Sequence, residues 1–347
     1  MKQRQRILSA PCEEPSNRIE QVEDVDIETE AEERELVMDA ALHGMRMDRA
    51  LALMLPEFSR SFVQQLLSEG QVSRLGPDAG AVTKASAKVR LGEHYRVRLQ
   101  PTPQSQAFQP EAMPIDVVYE DADLRVIHKP AGLVVHPAPG NWRGTLLNGL
   151  LALDPQAVML PRAGIVHRLD KDTSGLMVVA RTRRAMDALV AMIAAREVHR
   201  EYLAVGYRAW QGATCREVQA AIGRDTRNRL RMAVVDLARQ SGKEAHTTLE
   251  KWDSQASACL VHCTLHTGRT HQIRVHMAHI GHPLLGDALY AGPMQLGIER
   301  QALHAYRLSF THPIRGEALQ WEAPLPPDMV ALLAQLQLTV PQPSPLG

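Results

Sequence analysis

The feature that most constrains the fold is a break. Residues 101–110, from Pro101 to Pro110, carry no apolar periodicity and are rich in proline and glutamine, the composition of a linker. Regions with their own patterns flank it, so the chain is expected to form a short and a long domain. A length of 347 residues fits about two domains plus tails. On the N-terminal side, Met47, Leu51 and Met54 or Leu55 recur at helical spacing, and Pro56 stops that helix. Ser59 is placed to cap a second helix, with Phe62, Val63, Leu66 and Leu67 inward and Gly70 at its end. Tyr95–Leu99 alternate as a strand does. These pieces predict a small α+β module over 41–100, followed by a linker over 101–112.

Strands and helices mix beyond the linker. Strands are expected at Leu124–His128, Gly175–Ala180, Glu201–Tyr207 and Leu260–Leu265. One helix is expected from Arg183 to Glu197, with Met186, Leu189, Val190 and Ile193 inward, and another over Thr270–Ile280 with Ile273, Met277 and Ile280 inward. The two kinds of element do not alternate regularly, which argues against a doubly wound parallel sheet and for an α+β class. This second domain is expected over 113–328. Residues 329–347 are read as a helix end and frayed tail, and 1–36 as a disordered acidic tail.

Charge and cysteine usage narrow the function class. Net charge is zero, but residues 1–36 hold eleven Asp/Glu against five Lys/Arg. The rest is left with 34 basic against 28 acidic residues, a surplus compatible with nucleic acid. No run of about 18 apolar residues exists, and the N-terminus has basic residues without an apolar stretch behind them. No membrane and a cytoplasmic location are the expectations. The four cysteines show no paired framework, and Cys259 and Cys263 lack the further thiols that a structural zinc site needs.

The chemistry concentrates in residues 162–180. A charged loop containing His167, Arg168, Asp170, Lys171 and Asp172 runs directly into the apolar strand Gly175–Ala180. Such a loop at a strand mouth suits a site displayed by a rigid sheet. Arg168 and Lys171 beside Asp170 favour an ionised carboxylate, available as nucleophile or base. A surface turn with local ion pairs is the other reading of the same pattern.

The segment His167–Gly175, with the order His-Arg-Leu-Asp-Lys-Asp-Thr-Ser-Gly, resembles the signature of the RluA-type pseudouridine synthases. Lys129–Pro137 resembles the family's upstream strand and loop, Arg200–Tyr202 its tyrosine motif, and Thr267–Pro283 its third motif. The likeness extends to Ala302–Ala305 and Trp321–Pro324. It implies a catalytic domain built on a mainly antiparallel mixed sheet with flanking helices. It also implies an isomerase that breaks the N1–C1′ bond of uridine, rotates the base and joins C5 to C1′, with no cofactor. Asp170 then matches the catalytic aspartate, acting by covalent addition or by removing a ribose proton. Tyr202 matches the tyrosine that stacks on the base, Arg274 the arginine that pairs with the aspartate, and Arg168 the residue that fills the space of the flipped nucleotide.

Gly44–Leu51, Ser59–Phe62 and Gly70–Val72 resemble an S4 RNA-binding domain. Ser73–Gly80 departs from the Val-Asn-Gly turn usual there. Together the likenesses point to family members of the large ribosomal subunit. They imply 23S ribosomal RNA as partner, in the helix 69 hairpin loop, free or within a pre-50S particle, and a monomeric enzyme. Arg46, Arg49, Arg60, Lys84 and Lys88 of the module, with Lys171 and Arg269 of the larger domain, are the further candidates for RNA contact. His271, His276, His279 and His282 invite a metal reading, but only His276 and His279 share helical spacing and no acidic residue joins them, so no metal is expected. Two other functions fit parts of this pattern. A silent RNA-binding protein would not need all of Asp170, Tyr202 and Arg274, and a base-excising glycosidase would need a second acid, for which Asp172 is the nearest residue.

Overall fold

The computed structural model describes residues 32–341, apart from 57, 59, 78, 100–106, 139–140, 229 and 295–296. The expectations for residues 1–31, the Ser59 cap, the first half of the linker and the end of the C-terminal tail lie outside the described residues. The chain divides into two units, Met1–Thr102 and Pro103–Gly347.

In the first unit, β1 (Glu32–Val37) precedes α1 (Met47–Met54) and α2 (Arg60–Ser68), followed by β2 (Val72–Leu75), β3 (Gly80–Ala81) and β4 (His94–Leu99). The strands pair antiparallel in the order β1-β4-β2-β3. Both helices use the predicted apolar faces: Met47, Leu51, Val63, Leu66 and Leu67 are buried with Val72, Tyr95 and Val97. Strict alternation along β4 puts Tyr95, Val97 and Leu99 inside. Glu32–Leu36 corrects the predicted tail. This segment forms most of β1, where its acidic side chains face the basic side chains of β4. Arg96 pairs with Glu35 at 2.8 Å and Arg98 with Glu33 at 2.9 Å.

The second unit carries a nine-stranded sheet. In chain order its elements are β5 (Asp116–Glu120), β6 (Leu124–Lys129), α3 (Leu146–Leu153), β7 (Ser174–Ala180), α4 (Arg183–Ala195), β8 (His199–Tyr207) and β9 (Cys215–Gln219). A small sheet of β10 (Ile222–Arg224), β11 (Met232–Val234) and β12 (Gly242–Lys243) follows. Then come β13 (His246–Ser254), β14 (Ala258–Leu265), α5 (Gln272–His279), β15 (Leu303–Thr311), β16 (Ala318–Glu322) and α6 (Pro327–Leu336). The order is β5-β6-β7-β15-β8-β14-β13-β9, with β16 added to β15. Every pair is antiparallel except β7 with β15, so the sheet is mixed and mainly antiparallel, as expected.

β7 is buried along its whole length. Met177 and Val179 pack on one face with Leu146, Leu147 and Leu150 of α3, while Leu176, Val178 and Ala180 pack on the other with Ala185 and Leu189 of α4. A strand covered on both faces reads as a continuous apolar run, which is the pattern seen here. Helix α4 starts where the Thr182 hydroxyl accepts from Ala185 N, and Arg196 ends it in the left-handed region at φ 66°. Val190 is exposed rather than inward; the core face of α4 centres on Ala185 and Leu189, one turn apart.

Two boundaries move. Residues 107–112 belong to the second unit: Asn148 donates to the carbonyls of Ala107 and Gln109, and Glu111 accepts from Arg143 and Gly144. Residues 329–338 belong there too, because Met329, Leu332, Leu333, Leu336 and Leu338 pack on Val205, Ala258 and Leu260. The Pro- and Gln-rich composition concealed that apolar stripe.

Candidate active site

Asp170 stands in the turn that feeds β7. Its carbonyl accepts from Thr173 N at 3.1 Å, closing the turn just ahead of the strand. Gly175 then takes φ +122°, and a Cβ there would lie 2.1 Å from the Ala305 carbonyl oxygen. Only glycine allows β7 and β15 to approach so closely at the mouth of the strand. Lys129 secures the turn from the other side. Its buried Nζ donates to the carbonyls of Pro130, Leu133 and Lys171 at 2.7, 2.9 and 2.9 Å. Burial pushes this ammonium down to about 7, against the pull of Asp172 and Asp170.

The structure brings Arg274 to Asp170, 104 residues away. Arg274 Nη1 donates to Asp170 Oδ2 at 3.1 Å. The rest of the guanidinium is clamped by Asp287, with Nε to Oδ2 at 2.7 Å and Nη2 to Oδ1 at 2.8 Å. Asp287 is the residue that sequence reasoning missed; no spacing rule links it to Arg274, because a turn after α5 carries it back. Burial alone would pull the guanidinium down, but Asp287 and then Asp170 hold it above its ordinary value. One cation is thus fully neutralised while Asp170 keeps its other oxygen clear of Arg274. His271 Nε2 lies 4.0 Å from Asp170, and its Nδ1 pairs with the Tyr290 hydroxyl at 2.8 Å. Burial lowers the His271 imidazole below its ordinary value, although Asp170 opposes this.

Asp170, Arg274 and Tyr202 all line one cavity of about 460 Å³. Tyr202 is buried on β8, opposite Cys263 of β14 and Ala305 of β15. Burial pushes its phenol up to about 12, so it is a neutral donor near pH 7. Six arginines line the cavity against one carboxylate, Asp170. Such a wall attracts a polyanion. Asp172 is absent from the lining residues, which leaves a hydrolytic pair of acids without its second member among them.

The remaining predicted residues divide. Arg168 and Arg269 line the cavity, Arg168 exposed and Arg269 donating to the Glu244 carbonyl at 2.8 Å. The Lys171 side chain is exposed and does not line it; its carbonyl is what holds the turn. In the first unit, Arg46 and Arg60 both bind buried Asp48, at 3.1 and 2.7 Å, so their first task is internal. Arg49, Lys84 and Lys88 are exposed. Of the third-motif histidines, His271 faces the cavity, His279 is exposed, and His276 and His282 serve packing. His276 is buried between Thr247 and the Ala220 carbonyl, and His282 stacks on Trp210 at 5.0 Å. Cys259 and Cys263 are buried free thiols, raised by burial and therefore inert.

Comparison with known proteins places this geometry. A family model described as RNA pseudouridylate synthase matches residues 123–279, which include Asp170, Tyr202 and Arg274. The protein named ribosomal large subunit pseudouridine synthase D in Neisseria meningitidis is 47% identical over 317 residues, 87% of this chain and 82% of that one. The protein of the same name in Nitrosomonas europaea is 47% identical over 313 residues, 87% of this chain and 88% of that one. Among solved structures, human RNA pseudouridylate synthase domain containing 4 aligns with a TM-score of 0.52 and 25% identity, over 65% of this chain and 95% of that one.

Proposed function

The chain belongs to the RNA pseudouridylate synthase family, and we propose that it isomerises uridine to pseudouridine in the RNA of the large ribosomal subunit, with Asp170 as the catalytic residue. The observation that carries this reading is the Asp170–Arg274–Asp287 line. A carboxylate sits in a cationic cavity, and a guanidinium that is itself anchored fixes its position. The charge-assisted fork from Asp287 gives the guanidinium a fixed geometry, and the placement of a reacting group governs its rate.

The substrate follows from the curated relatives, whose names place their action on the large subunit. Within it we propose 23S ribosomal RNA and its helix 69 hairpin loop. A loop nucleotide leaves its stack at lower cost than a paired one, and the base must leave to reach Asp170 and the buried Tyr202 inside the cavity. Tyr202 offers the flipped base an apolar face and a neutral hydroxyl. Arg168, exposed at the rim, is placed to fill the gap left in the RNA. The first unit serves as an S4-like RNA-binding module, presenting Arg49, Lys84 and Lys88 to phosphate. The enzyme acts as a monomer and needs no cofactor, because the isomerisation changes no oxidation state. The test is incubation with a large-subunit RNA transcript, followed by mapping of pseudouridine. Product in the helix 69 loop is the expected result, and product elsewhere would move the target while leaving the reaction.

A further inference from the structure

Arg200 stands out among the arginines of the cavity. It is 7% exposed, and its Nε is buried without a hydrogen-bond partner among the described residues. No ion pair with a carboxylate involves it there. A buried guanidinium without a counter-charge is costly, and natural proteins keep one only where something else supplies the charge. Arg274, equally buried, has two carboxylates.

Arg200 is also aimed. Residues two apart on a strand share a face, so Arg200 and Tyr202 of β8 point the same way, and both line the cavity. Room for the guanidinium comes from Gly268, where a Cβ would lie 3.1 Å from Arg200 Nη1. The charge of Arg200 acts on both Tyr202 and His167, two neutral groups that cannot balance it.

We infer that Arg200 is a catalytic residue that binds a ring carbonyl oxygen of the target uracil and holds the negative charge of the base while it is detached from the sugar. Depth decides between base and phosphate. Arg162, Arg168 and Arg196 are exposed on the same cavity and meet phosphates first, whereas Arg200 lies beside the buried ring of Tyr202. When the N1–C1′ bond breaks, its electron pair leaves with the base and spreads over the ring oxygens. When C5 bonds to C1′, that pair forms the new bond, C5 loses its proton and N1 gains one, so the base ends neutral. The charge therefore exists only between the two bonds. A preorganised donor aimed at it lowers the barrier without tightening substrate binding.

This inference rests on the cavity being the uridine pocket, so wild-type protein must first form pseudouridine, with Asp170→Asn as the blank; failure there overturns the proposed function itself. Against an active wild type, Arg200→Met keeps the volume of the side chain and removes its charge. Single-turnover rate at saturating RNA should fall about 10²-fold or more, as when one such donor is removed elsewhere. RNA affinity should stay within about 3-fold, and Tm of the RNA-free protein should hold or rise, since an unpaired buried charge is lost. Millimolar guanidinium ion should restore part of the rate of Arg200→Ala, which is the deciding reading if Tm falls. An unchanged rate, weaker RNA binding with an unchanged saturating rate, or a fall in Tm without rescue would each overturn the inference. The second of these would make Arg200 a phosphate contact.

Discussion

Replacing Asp287 with Asn should cost this protein both its activity and much of its stability, whereas Asp170→Asn should cost activity alone. Asp287 is 1% exposed and makes both oxygens available to Arg274, itself 8% exposed. Asn keeps the shape but puts an NH2 against a guanidinium donor. Breaking a buried pair and leaving its partner costs about 3–5 kcal/mol. Asp170 is 17% exposed and makes one bond at 3.1 Å to an arginine that Asp287 already neutralises. Its removal should cost less than that, because Arg274 keeps its pair with Asp287 and no buried charge is left alone. Urea denaturation followed by tryptophan fluorescence separates the two variants. All four tryptophans, Trp142, Trp210, Trp252 and Trp321, lie in the second unit, so the signal reports that unit alone. Asp287→Asn should shift the midpoint strongly and Asp170→Asn hardly, with equal m-values. Equal midpoints for the two variants, or an active Asp287→Asn, would refute the view that Asp287 anchors the arginine.

Other outcomes follow from the same geometry. Tyr202→Phe should bind RNA as the wild type does but turn over slowly, and Tyr202→Ala should lose about 1–3 kcal/mol of binding as well; near-normal kcat for both would make Tyr202 structural. Lys129 has a folded value of about 7 against 10.5 when unfolded, so between those values the unfolded state binds the extra proton and stability should rise with pH. Urea midpoints measured from pH 7 to 10 should climb for wild type and lose that climb in Lys129→Met. Deleting residues 1–100 should weaken RNA binding and flatten the slope of log K against log salt by about 2–3, the loss of about three phosphate contacts. A salt titration with unchanged slope and affinity would mean the first unit does not touch this RNA.

Much of this arrangement was legible in the sequence, for physical reasons. The strand at 174–180 announced itself because burial on both faces demands an unbroken apolar run, and the charges before it marked its mouth. The helix faces of the first unit could be read because Met47, Leu51, Val63, Leu66 and Leu67 follow a 3.6-residue period. Helix α3 shows no amphipathic stripe, because Asn148 is its one polar side chain and is itself buried; the signal present was Thr145 and Asn148, which cap each other across three residues. Strand β1 is hidden because its acidic residues resemble a tail until β4 supplies the arginines. Within the site, Asp170, Tyr202 and Arg274 come from three motifs that only the family resemblance joins. Asp287 and Arg200 carry no sequence signal, since one returns to Arg274 through the turn after α5 and the other stands apart by burial without a partner for its Nε among the described residues.

The most direct test of the central claim is pseudouridine mapping on one large-subunit RNA transcript, treated in parallel with wild-type protein and with Asp170→Asn. The account predicts new pseudouridine with the wild type and none with the variant, at similar RNA affinity. Pseudouridine formed by the variant near the wild-type rate would contradict it.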